Sequence, residues 1–157
     1  MFARKKKPAQ PLSPDEALQK LEHFCAYQER SPQEVRDKLK ELGQEGEAAE
    51  QLYQVLESDG FFDAARFAGS YVRGKFRFNH WGRIRIRQML RQKGIAPAQV
   101  EAALREIDET EYKQLLHQLW EKKMREYAGD EKARDKSMAA LLRAGFEPEL
   151  VFGLNNR

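Results

Sequence analysis

The sequence predicts an all-α protein: three tandem three-helix units, about nine helices, in an elongated, curved array. Three observations carry this. The motif Leu-x3-Gly recurs at a fixed interval of 51 residues, as Leu39–Gly43, Leu90–Gly94 and Leu141–Gly145. Apolar residues return at helical spacing along most of the chain, and no stretch alternates with period two between turn signals. Ser13, Ser31 and Asp108 each stand three residues before a glutamate at the start of an apolar run, the pattern of a helix N-terminus. A repeat of this length marks stacked supersecondary units, which usually build binding surfaces rather than catalytic pockets.

The first unit is placed at 13–60. Ser13-Pro14-Asp15-Glu16 opens a helix that buries Leu18, Leu21, Phe24 and Cys25. Ser31-Pro32-Gln33-Glu34 opens the next, with Val35, Leu39 and Leu42 inward and Gly43 as its left-handed terminator. A third helix carries Ala49, Leu52, Val55 and Leu56 and stops at Asp59-Gly60. The second unit, 61–107, begins at Phe61-Phe62 with Asp63 as N-cap, and Phe67, Ala68, Tyr71 and Val72 form one face. Its second helix is expected from about Trp81 to Lys93, with Ile86, Met89 and Leu90 inward and Gly94 as terminator. The helix after it starts near Pro97 and buries Val100, Leu104 and Ile107. The third unit, 108–157, opens on Asp108-x-x-Glu111, with Tyr112, Leu115, Leu116, Leu119 and Trp120 as the apolar stripe. Asp130 is read as the cap of a helix with Met138, Leu141 and Leu142 that ends at Gly145, and Pro148 starts a last helix with Val151 and Leu154. The repeat extends past the glycines: Ala49, Val100 and Val151 occupy one register, and Leu52, Ala103 and Leu154 another.

Composition limits the class of protein. Hydrophobic residues make up 41% and charged residues 34%, which fits a well-solvated helical protein. No run approaches the roughly 18 apolar residues of a membrane span. Residues 1–12, with Arg4-Lys5-Lys6-Lys7 and no apolar run behind them, are read as a disordered basic tail and not a secretory signal. Cys25 is the only cysteine, so the chain forms no internal disulfide, a reducing cytoplasm is expected, and Cys25 itself is read as buried core.

The net charge of +3 conceals an asymmetry. Between Ala64 and Val100 there is no Asp or Glu, while Arg66, Arg73, Lys75, Arg77, Arg83, Arg85, Arg87, Arg91 and Lys93 all fall there. The rest of the chain holds 19 basic against 25 acidic residues. Such a cationic segment suits a polyanion or an acidic partner. On one helix, Arg83, Arg87 and Arg91 stand four apart and are expected to form a stripe whose like charges repel. The run Lys75-Phe76-Arg77-Phe78-Asn79-His80-Trp81 interleaves cations with aromatics, which can stack on unpaired bases or anchor a protein interface. For Phe76 and Phe78, packing inside the unit and binding remain equal alternatives, and Trp81 is expected to be exposed. His23, His80 and His117 are scattered, with no partner at metal-ligand spacing, and there is no phosphate loop or nucleophile elbow. Catalysis is not supported, and a hydrolase reading fails for want of a catalytic constellation.

One family has these features in this order. The run Phe61-Phe62-Asp63-Ala64-Ala65-Arg66-Phe67-Ala68-x2-Tyr71-Val72-Arg73, followed by Trp81-Gly82-x2-Arg85-Ile86-x3-Leu90-x3-Gly94-Ile95, resembles the RecX family. So does Tyr27-x2-Arg30-Ser31-x2-Glu34-Val35-x2-Lys38-Leu39, and the resemblance spans about 14–154. It implies three tandem three-helix units and a non-enzymatic regulator, mainly an inhibitor, of the RecA recombinase. Such a regulator binds the RecA–single-stranded-DNA filament in its groove, works in the cytoplasm as a monomer and needs no cofactor or metal. Some members of the family bind DNA themselves, single- or double-stranded. The expected contacts to RecA or DNA are Arg30, Arg66, Arg73, Lys75, Arg77, Trp81, Arg83, Arg85, Arg87 and Arg91. Two features depart from the family pattern: Ala64 stands where a second Asp is usual, and the last unit is short after Gly145. The rival reading is a direct DNA-binding module of helix-turn-helix type.

Overall fold

The computed structural model describes residues 12–154, so the expected basic tail lies outside the described residues except for Leu12. Among the described residues there are nine helices and no strand: α1 (Pro14–Tyr27), α2 (Pro32–Glu41), α3 (Gly46–Ser58), α4 (Ala64–Arg77), α5 (Arg83–Gln92), α6 (Pro97–Leu104), α7 (Glu109–Glu126), α8 (Ala133–Arg143) and α9 (Pro148–Gly153). The all-α fold follows as expected.

The start signals work as side-chain caps. Ser31 Oγ accepts from the Glu34 amide at 3.1 Å, a side-chain N-cap, and donates to the Glu34 carboxylate at 3.2 Å. Ser13, Asp63 and Asp108 accept from the amides of Glu16, Arg66 and Glu111 at 3.3, 2.8 and 2.9 Å. The repeat is equally visible in the packing. Leu39, Leu90 and Leu141 are all buried on α2, α5 and α8, and Gly43, Gly94 and Gly145 follow those helices with φ of 74°, 81° and 99°. That left-handed backbone is open to glycine at little cost, which is why the residue returns with the period.

The described residues divide into two compact units. One runs to Phe67 and includes Lys93–Ile95, and the other holds Ala68–Gln92 and the chain from Ala96 onward. In the first, Leu21, Cys25, Val35, Leu39, Leu52, Leu56 and Phe62 form the core among α1, α2 and α3. In the second, Val72, Ile86, Leu90, Val100, Leu116, Leu141 and Val151 are buried. There Tyr112 packs between two phenylalanines, 6.0 Å from Phe76 and 5.3 Å from Phe146 by ring centroid.

Some boundaries and faces differ from expectation. Val55 is exposed, because Leu52 and Leu56 take the inward line of α3. Phe24, Tyr71, Met89, Ile107, Leu115, Leu119, Trp120, Met138 and Leu142 are only half-buried. Asp130 does not cap α8: the N-cap position is Lys132, and the Asp130 carboxylate accepts from the Lys132 amide at 2.8 Å within the preceding turn. The α5 helix starts at Arg83, two residues after Trp81, because the Gly82 and Ile84 amides donate to the carbonyls of Ala144 and Gly145.

Candidate functional site

The acid-free segment does not make an acid-free surface. Acids placed beyond it, or before it, come back to meet five of its cations. Arg66 donates to Glu29 at 2.7 Å and to the Gly60 carbonyl at 3.1 Å. Arg73 pairs with Glu106 at 3.2 Å, and Lys93 with Glu34 at 3.7 Å. Arg87 grips Glu101 with two hydrogen bonds, at 2.6 and 3.3 Å, the bidentate form that holds geometry best.

Arg83 is the most enclosed of them, with its side chain 19% exposed. Its guanidinium lies 3.9 Å over the Tyr112 ring and donates to Glu109 at 2.6 Å. Its Nε is 3.0 Å from Glu147 Oε2, an ion contact without hydrogen-bond alignment. The Arg83 amide donates to the Tyr112 hydroxyl at 3.0 Å, and that hydroxyl donates to Glu147. Burial opposes the charge on Arg83, but the hydrogen bonds to Glu109 and Tyr112 and the Glu147 charge outweigh it and raise its pKa. Burial, and then the bond to Glu147, push the Tyr112 phenol well above the ordinary tyrosine range. This network ties the start of α5 to α7 and to the residue before α9. It corrects the expected stripe: Arg83 and Arg87 are neutralised in place, so like-charge repulsion along Arg83, Arg87 and Arg91 is not the governing interaction.

Arg30 lies in the first unit. Its Nε donates to the Phe24 carbonyl at 2.8 Å, its guanidinium stacks 3.7 Å from the Phe24 ring centroid, and Glu34 is 3.7 Å away.

Among the described residues, Lys75, Arg77, Arg85 and Arg91 make no ion pair. Two of the four are gathered on Trp81. The Arg85 guanidinium stands 3.9 Å, and the Lys75 ammonium 4.7 Å, from a Trp81 ring centroid. Local backbone geometry puts Trp81 there: the chain turns back after α4 through His80, whose φ is 57°, and the Trp81 amide donates to the Lys75 carbonyl at 3.0 Å. Trp81 also meets Tyr71 edge-on at 6.5 Å. It is therefore half-buried, not exposed as expected. The two phenylalanines before it divide. Phe76 is 8% exposed and packs on Tyr112, while Phe78, just past the end of α4, is 83% exposed.

Among the described residues no group of three His, Cys, Asp or Glu could hold a metal ion. Cys25 is buried, and that burial raises its thiol pKa, as for a packing residue. His23 and His80 are exposed, and His117 stands 3.5 Å from Glu121 on the same helix. No helix among the described residues is long and apolar enough to cross a membrane. Sequence reasoning missed the partners Glu101, Glu106, Glu109, Tyr112 and Glu147, which lie 14 to 64 positions from the arginines they meet and leave no local signal.

What remains is a helical-repeat protein in which Lys75 and Arg85 gather on Trp81. Comparison with known proteins agrees on the helical-repeat architecture. The family model for the second three-helix domain of RecX matches residues 63–104, and that for the third three-helix domain of RecX matches residues 109–153. A protein of Prosthecochloris aestuarii named Regulatory protein RecX is 32% identical over 136 residues, covering 86% of this chain and 88% of its own. A Pseudomonas putida protein of the same name is 30% identical and covers 82% and 81%. A crystal structure of regulatory protein RecX superposes with a TM-score of 0.82 at 26% identity, over 92% of this chain and 72% of that one. The chain belongs to the RecX family of regulatory proteins.

Proposed function

We propose that the chain binds the RecA–single-stranded-DNA filament and limits its extension and activity, with the second unit, 61–107, supplying the contact. The observation that carries this is the set of cations without ion pairs, Lys75, Arg77, Arg85 and Arg91, two of them held on Trp81. Cations with no ion pair can meet a polyanion without breaking an existing one, and four of them in this segment focus attraction there. Arg30, Arg66, Arg73, Arg83 and Arg87 are already paired with carboxylates, each within its own compact unit. The chain then acts by occupancy, in the cytoplasm, with no cofactor.

The rival, sequence-specific reading of duplex DNA by one helix, loses support from the same geometry. On α5 both Arg83 and Arg87 are bound to carboxylates, which leaves only Arg85 and Arg91, and Arg85 lies on Trp81. Direct readout needs several side chains free to reach base edges. The test is capture of the chain by RecA free in solution, by RecA on single-stranded DNA with nucleotide, and by DNA alone. The filament form is expected to retain most protein. Retention by duplex DNA with a strong sequence preference, and none by the filament, would overturn the proposal.

A further inference from the structure

The 51-residue register relates two surface patches that share no residue. Lys20, Phe24, Tyr27 and Arg30 stand at the same repeat positions as Tyr71, Lys75, Phe78 and Trp81. At three of the four positions cation and aromatic are exchanged, and at the fourth both copies carry an aromatic ring. The pairing survives the exchange. Arg30 lies 3.7 Å over Phe24 in the first copy, and Lys75 lies 4.7 Å over Trp81 in the second. Tyr27 and Phe78 are both 83% exposed, so neither contributes to a core. The third copy offers Lys122, Glu126, Gly129 and Lys132 instead, with no ring. Packing of the repeat therefore does not require the patch.

We infer that Tyr27 and Phe78 are two equivalent platforms for unpaired bases of single-stranded nucleic acid, each with cations beside it for the adjoining phosphate. The first platform borders an open cleft of about 630 Å³ lined also by Lys20, Phe24, Arg30, Lys38 and one carboxylate, Glu41. Phe78 is flanked in sequence by Arg77 and Asn79, both exposed. A protein anchor is normally ringed by other apolar side chains. Tyr27 shares its cleft with Lys20, Arg30 and a Lys38 paired to Glu41, and Phe78 stands between Arg77 and Asn79 in sequence, a polar setting that suits a flat base on a charged backbone. This rests on the filament reading and adds to the 61–107 contact a second strand contact at Tyr27, but the binding it describes needs no RecA.

The experiment is fluorescence anisotropy of a labelled oligothymidine, and of a duplex of the same length, titrated with the full chain. Tyr27→Ala and Phe78→Ala are each expected to weaken oligothymidine binding roughly tenfold, the scale of one lost stacking contact. Tyr27→Phe should bind as the parent does. Phe152→Ala, which removes another exposed ring, should change nothing. The alanine variants should keep the parent's salt slope, because no charge is lost, whereas Lys75→Ala should make it shallower. Duplex binding should be little affected, since its bases are already stacked. Parent-like oligothymidine binding by both alanine variants overturns the inference, and so does an equal loss on duplex. If the parent is captured by the RecA filament but does not bind oligothymidine, the platforms are wrong and the filament reading stands. Loss of filament capture with oligothymidine binding intact assigns the rings to a protein contact and also overturns it.

Discussion

Gly82 packs backbone to backbone against Gly145. The Gly82 amide donates to the Ala144 carbonyl at 2.8 Å, and the Gly145 carbonyl accepts from the Ile84 amide at 2.9 Å. A Cβ on Gly82 would overlap the Gly145 carbonyl group, and one on Gly145 would press on the Arg85 backbone. The start of α5 and the end of α8 are joined at a spacing that admits no side chain.

Gly82→Ala should therefore destabilise the chain by about 1–3 kcal/mol or more, as overpacking against rigid atoms does. Gly74→Ala is the contrast: it lies inside α4 with open space where the Cβ would go, and it should be neutral or stabilising by up to about 1 kcal/mol. Urea unfolding of both variants checks this. Equal midpoints would show that the close approach relaxes without cost.

Arg83→Ala should cost roughly 1.5–3 kcal/mol, the scale of hydrogen bonds to charged groups in partly buried places. It removes the guanidinium from Glu109, Glu147 and the Tyr112 ring together. Arg91→Ala, on the same helix but exposed and without an ion pair among the described residues, should stay within about 0.5 kcal/mol. Thermal melts compare the two, and similar shifts would mean the network adds nothing to stability.

These two arginines show what could and could not be read from the sequence. The periodic leucines, the terminating glycines and the Ser31 N-cap were legible, because each depends on residues within one or two helical turns. The fate of Arg83 was not, because Glu109 and Glu147 reach it only after two or more further helices have formed. The Trp81 cluster was half legible. The mixture of cations and aromatics stood out, but whether Phe76 or Phe78 faced inward depended on α4 ending at Arg77, and no strong breaker marks that end. Val55 was misplaced for a related reason: a stripe of four apolar positions was wider than the neighbouring helices could cover.

Stability should fall in acid in a way that follows the ion pairs. Hydrogen bonds from Arg87 and Arg83 hold the Glu101 and Glu109 carboxyls below the usual range. A carboxyl depressed by folding adds stability that is fully present above the unfolded pKa, near about 4.3, and is lost as pH falls through the folded value. For Tyr112 the sign is opposite. Its raised phenol pKa adds stability present below the unfolded value of about 10, which disappears as pH rises through the folded value. Unfolding free energy measured against pH should thus decline at both extremes. Glu109→Gln should flatten the acid limb and Tyr112→Phe the alkaline one, and unchanged limbs in these variants would show that other groups set the profile.

Inhibition of RecA strand exchange, measured at several salt concentrations, is the most direct test of the central claim. The comparison is between the parent chain and a folded variant in which Arg77, Arg85 and Arg91 are replaced by alanine. These three cations make no ion pair among the described residues, so the fold should survive their loss while attraction for the filament falls. The account predicts that the parent inhibits, that the variant inhibits more weakly, and that the gap narrows as salt rises. A variant that inhibits as strongly as the parent at every salt concentration, or a parent that does not inhibit at all, would contradict it.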